Sequence, residues 1–250
     1  MTSAAVSETS HLRAAAQPGL RAIRRYWKPF ILIQLFGLAF VVLYYTLPGL
    51  AGSLEGVAKL KATYGYLFSC IAGIIGGAIV PEVFKVVTIR EEKLTEQRLK
   101  DLFFSCFYFG LMAMLCDGLY RLLEVIYGKD VSIGTAILKM MSDQFIFTPI
   151  LGTGIAAIYF PLYRSGWDFQ RVLHGFGWNW YLRNVLPILL PAWVYWMPMC
   201  LLMYSMPSLL QVPFSVCATA AWGLIITAVA SRDSHHHVSE DPMLPPSPHD

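Results

Sequence analysis

Residues 102–127 read LFFSCFYFGLMAMLCDGLYRLLEVIY. Apart from Asp117, Arg121 and Glu124, the run is apolar on every face a helix could present. It exceeds the ~20 residues that an α-helix needs to cross a hydrocarbon core. A helix on a water-soluble domain keeps a polar stripe, and one that is apolar all round is buried in a large core or in lipid. The rest of the chain decides between these. It is 56% hydrophobic and only 14% charged, with a mean hydropathy of +0.53. Soluble domains carry about 25% charged residues, so 250 residues of this composition could not clothe a surface in water. Lipid is the fitting solvent.

Outward from residues 102–127, five more apolar stretches of similar length follow the same logic, at 28–48, 64–86, 144–163, 185–206 and 208–230. β-barrel strands would be half as long and would alternate. The expected fold is therefore all-α, a polytopic transmembrane bundle of about six spans. Basic residues orient it. With the N-terminus inside, the inner segments hold Arg13, Arg21, Arg24, Arg25 and Lys28, then Lys85, Arg90, Lys93, Arg98 and Lys100, then Arg164, Arg171 and Arg183, and finally Arg232. The outer segments hold only Lys59, Lys61, Lys129 and Lys139. Cytoplasmic loops are enriched in Lys and Arg, which predicts an N-in/C-in topology. Pro187, Pro191 and Pro198 interrupt the fifth stretch. Membrane helices tolerate proline where neighbours satisfy the freed carbonyls.

Residues 1–20 are Ser/Ala-rich with Pro18-Gly19, residues 231–250 are polar, and both read as disordered tails around a membrane domain at 21–230. No signal peptide is expected, since the first apolar run is too long and lacks a small-residue cleavage site. Residues 90–101 predict a charged helical connection, with Glu96 and Lys100 in the favourable i, i+4 order. Phe169, Leu173, Phe176 and Trp180 recur at helical spacing and predict an interfacial helix. Trp167, Trp178, Trp193, Tyr195 and Trp196 suit an aromatic belt.

A charge within a span costs at least ~2.5–3.5 kcal/mol at mid-bilayer, so each one needs a reason. Asp117, Arg121 and Glu124 lie on one helical face, where they either line a polar path or fix helix register as an ion pair. Glu82 and Lys85, just after Pro81, fit groups snorkelling to an interface. Asp143 reads as the N-cap of the fourth span or as a pore-mouth carboxylate, and Gln144 as a hydrogen-bonding group facing a neighbouring helix. Gly73 and Gly77 form a small-residue surface for close helix packing, within the chain or in a homo-oligomer. The five cysteines form no CxxC or metal-ligand spacing, and His235-His236-His237 is a weak polar tract. Neither a metal site nor a cofactor is expected. No GxSxG, HExxH or phosphate-cradling loop occurs, and no basic surface with interleaved aromatics speaks for nucleic acid.

Lys139-Met140-Met141-Ser142-Asp143-Gln144-Phe145-Ile146-Phe147-Thr148-Pro149 resembles the K-x-x-x-D-Q-x-x-x-x-P segment of the Mpv-seventeen / peroxisomal-membrane-protein family. Trp196-Met197-Pro198, Pro207 and Trp222 follow in similar order. The resemblance covers about 64–230, in the form of a bacterial branch. The family's Gln and Asn-Phe after the Trp-Pro are absent, and Gly76-Gly77 replaces the Gly-Asp of its first span. It implies a channel-like inner-membrane protein. The expected function is thus passage of small solutes or ions across a lipid bilayer, by a protein with no catalytic role. The expected location is the bacterial cytoplasmic membrane or, failing that, the mitochondrial inner membrane. A non-transporting scaffold or assembly factor is the alternative, and a lipid-processing enzyme stands behind both.

Overall fold

The structure is a computed structural model that describes residues 2–88 and 95–239, with the side chains of 1–15, 22, 25, 26, 29, 51, 85, 88 and 224–239 left outside the description. The helices run in the order α1 (Thr2–Thr46), α2 (Pro48–Tyr64), α3 (Tyr66–Ile74), a first π segment (Ile75–Ile79), α4 (Val80–Thr88) and α5 (Glu96–Tyr127). They continue with α6 (Ile133–Ser142), a second π segment (Asp143–Gly152), α7 (Thr153–Arg164), α8 (Phe169–Val172), α9 (Trp178–Asn184), α10 (Leu186–Tyr204) and α11 (Ser208–Ser239). Among the described residues there is no strand.

All six apolar stretches are helical. Four helices are long and apolar enough to cross a membrane by themselves, namely Tyr66–Phe84, Glu96–Tyr127, Ile133–Arg164 and Leu186–Tyr204. Phe30–Thr46 and Pro48–Tyr64 make a fifth if that pair, bent by 97°, is one span. The bend falls at Leu47, whose extended backbone (φ −111°, ψ 100°) is what a residue before proline adopts. The stretch 208–230 runs into side chains outside the description. Helix bounds also reach into both segments expected as tails, from Thr2 and to Ser239, while residues 240–250 lie outside the described residues. Large apolar side chains face outwards, with Phe36 74%, Phe103 78% and Val125 83% exposed. Such a surface suits lipid rather than water.

Two elements differ from expectation. The fourth membrane helix begins not at Asp143 but at Ile133, capped by the Ser132 side chain, which accepts from the Thr135 N–H. The supposed interfacial helix is two short ones, α8 and α9, because Gly175 (φ 69°) and Gly177 (φ 155°) take conformations that end a helix. Of its predicted apolar face, Trp180 is buried while Phe169 and Phe176 stay exposed. The aromatic belt shrinks likewise. Trp167 and Trp178 are exposed, but Tyr195 is fully buried.

Close approaches set the packing. A Cβ on Gly73 would lie 2.3 Å from the Ala113 Cβ and 2.6 Å from the Phe109 carbonyl oxygen, and one on Gly77 2.2 Å from the Phe109 ring. Both glycines thus let α3 and the first π segment lie against α5 of the same chain. On the other side, α1 lies along α10, with Gly37 against Met199. The core between them is built around Phe30, Tyr195, Met203, Tyr204 and Met206.

Proline's missing N–H leaves a carbonyl without its helical donor, and side chains from neighbouring helices supply it. In α10, Pro198 frees the carbonyl of Val194, and Gln34 of α1 donates to it at 2.8 Å. In the second π segment, where bonds run i to i−5, Pro149 frees the carbonyl of Gln144, and the Trp193 indole donates there at 2.8 Å.

Candidate functional site

Two polar clusters flank α5, and they differ in kind. The first centres on Asp117. Its Oδ2 accepts from the Lys61 ammonium and from Ser69 Oγ (2.8 Å), its Oδ1 accepts from Arg121 Nε (3.2 Å), and Lys61 also donates to Ser69 Oγ (2.8 Å) and to the Gly65 carbonyl (3.2 Å). Lys61, Ser69 and Asp117 are all buried, whereas the Arg121 side chain is 52% exposed and lies over the Tyr66 ring. Lys61 is placed there by α2, which folds back along the bundle after the 97° bend. The expected pair Asp117–Arg121 exists, but the buried partner is Lys61. Counted at first among the outer-loop charges, Lys61 is instead an interior cation, since the segment that seemed a loop is a helix. Lys139 is corrected in the same way. It is 2% exposed, lies in the field of Glu124 and Asp130, and lines up on α6 rather than in a loop.

The second cluster centres on Asp143. Its Oδ2 accepts from Tyr204 Oη (2.7 Å) and from Cys200 Sγ (3.6 Å), and its Oδ1 from Gln144 Nε2 and Thr148 Oγ1 (both 3.2 Å). Asp143 is neither a helix cap nor exposed at a pore mouth. It sits inside the long helix Ile133–Arg164, 5% exposed. The π geometry turns Asp143, Gln144 and Thr148 inward together. Gln144 reaches a neighbouring helix by donating to Cys200 Sγ (3.2 Å) on α10, and its buried Oε1 finds no donor among the described residues.

This second cluster borders a partly open cavity of about 220 Å³ between α3, α5, the second π segment, α7, α10 and α11, with Tyr120, Thr148, Cys200, Ser215, Thr219 and Trp222 among its walls. Asp143 and Gln144 contribute to the walls, while Asp117, Arg121 and Glu124 do not. On α5, Cys116 and Tyr120 face the cavity. Asp117 is turned about 100° from Cys116 by the helical repeat.

The remaining predicted residues lie apart. Glu124 is half-buried, and its buried Oε1 meets no donor among the described residues. Glu82 does not snorkel. It forms an ion pair with Arg98, both side chains being largely buried at 15% and 12% exposure, and this ties α4 to α5 across residues 89–94. The side chain of Lys85 lies outside the described residues. Glu96 and Lys100 pair at 2.6 Å, as their spacing predicts. Among the described residues no group of His, Cys, Asp or Glu could hold a metal ion. Ser69, Thr148, Cys200 and Tyr204 were missed, since single hydroxyls and thiols in apolar runs carry no sequence signal until a carboxylate is placed opposite them.

No family model, no curated protein and no solved structure matches this chain. Among the described residues the molecule is all-helical, with four to five helices fit to span a membrane and a largely apolar cavity among them that Asp143 and Gln144 border.

Proposed function

We propose that the chain is a channel- or pore-like membrane protein, passing small solutes or ions through the cavity beside Asp143. One observation carries this. A buried carboxylate and an amide oxygen with no donor among the described residues border a partly open space of about 220 Å³, at a π distortion of an apolar helix. Ionisable groups inside a membrane mark pathways, and π segments recur at functional sites. Carbonyl and carboxylate oxygens on the wall favour cations and hydrogen-bond donors over anions. The wider setting is six spans with both termini inside, in the bacterial cytoplasmic membrane. The resemblance to the Mpv-seventeen / peroxisomal-membrane-protein family supports an inner-membrane channel, with the mitochondrial inner membrane as the other candidate location.

Purified protein in planar bilayers and solute-loaded vesicles tests this. Wild type should carry current or release solute, Asp143→Asn should alter ion preference, and Ala156→Phe, which fills the cavity from α7, should suppress flux. Well-folded protein that is silent across varied salts and voltages would overturn the proposal. That result would favour a second reading, a non-transporting scaffold. Its supporting observation is that all four carboxylate oxygens of Asp117 and Asp143 are hydrogen-bonded within the chain.

A further inference from the structure

Where α7 ends, the chain turns sharply into α8 and α9. Gly166 and Trp167 both take φ 69°, and the turn is closed by the Trp167 N–H donating to the Leu162 carbonyl at 2.8 Å. Ser165 Oγ accepts from the Asp168 N–H at 3.2 Å, and Asp168 Oδ1 accepts from the Arg171 backbone N–H at 2.9 Å. This bracing brings Arg164, the last residue of α7, and Arg171, on α8, to the lip of one cleft of about 370 Å³. Neither guanidinium makes a hydrogen bond or an ion pair with a described residue. Asp168 commits its Oδ1 to the α8 N-terminus, and among the described residues no acid lines the cleft. Its lining mixes apolar groups, Ala157, Pro161, Val172 and the Trp180 ring, with the polar Ser165 and Asn184 beside the two arginines. That ring is fixed in place because its Nε1 donates to the Val172 carbonyl at 2.8 Å. Trp167 and Trp178, both exposed, stand on the same turn-and-helix unit, as aromatics do at the level of lipid headgroups.

A cleft with two arginines that no described residue neutralises, and with Val172 and the Trp180 ring beside them, matches an amphiphilic anion. Guanidinium groups recognise phosphate oxygens through paired, charge-assisted hydrogen bonds, and basic pockets at the inner ends of membrane helices bind anionic headgroups. We infer that the α7–α9 cleft binds the phosphate of an anionic phospholipid, with Arg164 and Arg171 on the phosphate and Trp180 and Val172 against the glycerol and upper acyl carbons. This site is separate from the Asp143 cavity and does not rest on the transport proposal.

Thermal unfolding of delipidated, detergent-purified protein is the test, titrated with short-chain phosphatidylglycerol, short-chain phosphatidylcholine or inorganic phosphate. Phosphatidylglycerol should raise Tm, and above its Kd the rise should follow the logarithm of its concentration. Phosphatidylcholine should do so far less, and inorganic phosphate should act only at much higher concentration. Arg164→Gln/Arg171→Gln should move the phosphatidylglycerol titration to roughly thirtyfold higher concentration, at about fivefold in Kd per arginine near a membrane surface. Arg183→Gln should leave it unchanged. If the double variant fails to fold, Arg171→Gln alone keeps the test, because its side chain is exposed on a helix of 4 residues. Equal shifts with both lipids, or a phosphatidylglycerol effect untouched by the arginine changes, would overturn the inference. An equally strong effect of inorganic phosphate would overturn the lipid as the source of the phosphate.

Discussion

Asp117 is held by three side-chain donors, and they differ sharply in surroundings. Lys61 is buried, and the Arg121 side chain is half exposed. Removing one member of a buried ion pair strands the other charge at about 3–5 kcal/mol, while replacing both can be nearly neutral. Lys61→Met should therefore lower stability by that order, and Lys61→Met/Asp117→Leu should recover most of it. Arg121→Ala removes only an exposed pairing and should cost under about 1 kcal/mol. Unfolding in graded denaturing detergent measures all three. An Arg121→Ala loss equal to that of Lys61→Met would show that the buried lysine is not the principal counter-ion. The charged face of α5 was legible in the sequence as a set of residues. Their partner was not, because Lys61 lies 56 positions from Asp117 in what read as a loop.

At the scale of elements, the prolines give the sharpest test. Gln34 donates to the Val194 carbonyl, which lacks a helical donor only because residue 198 is proline. Val194 is 40% exposed, on a surface that suits lipid, where no water can replace the donor. Gln34→Leu should therefore cost about 1–3 kcal/mol, the penalty for a polar group left unsatisfied away from water. In a Pro198→Ala background the residue 198 N–H can bond Val194, and the same Gln34→Leu change should cost far less. The coupling, read as a double-mutant cycle, would vanish if the Gln34 contact were incidental. Close packing of α3 on α5 gives a second test. Gly77→Ala drives a methyl group into the Phe109 ring, which lies 2.2 Å from its position, and should cost about 1–3 kcal/mol as overpacking. A shorter side chain at 109, as in Phe109→Leu, should relieve part of that loss in the same unfolding assay. The glycine spacing and the proline positions stood in the sequence. Which helix each one met did not, since contact across a bundle follows from chain path rather than local periodicity.

For the whole molecule, the proposed six-span topology predicts the side of each loop. Single cysteines on a cysteine-free background, with Cys200→Ser to keep a donor near Asp143, should label from outside at positions 59 and 130 and from inside at 95 and 235. Lys59 and Asp130 are exposed, so burial will not mask the result. Inside labelling at 130 would remove the six-span arrangement. The positive-inside pattern sharpens once Lys61 and Lys139 are taken as interior cations, because only Lys59 and Lys129 then remain as basic groups of the outer segments. Lys61 and Lys139 orient nothing as loop charges, since their charge is held within the bundle.

Taken alone, the sequence determined the apolar helices and the lipid they suit, though not where each helix ends or that residues 48–64 form one. Long apolar runs cannot satisfy their backbone polar groups in lipid except as helices, and that constraint acts on each segment without reference to the others. It also marked the residues out of place, Asp117, Asp143 and Gln144, because a charge or amide in an apolar run is visible at any register. Only the tertiary structure decided what those groups do. It gave Asp117 to Lys61 and Ser69, gave Asp143 to Tyr204 and Thr148, opened a cavity beside the second cluster and not the first, and brought Arg164 and Arg171 to one cleft. The physical reason is that a buried polar group is stable only when its partners are in place, and those partners come from distant elements whose meeting is set by helix packing.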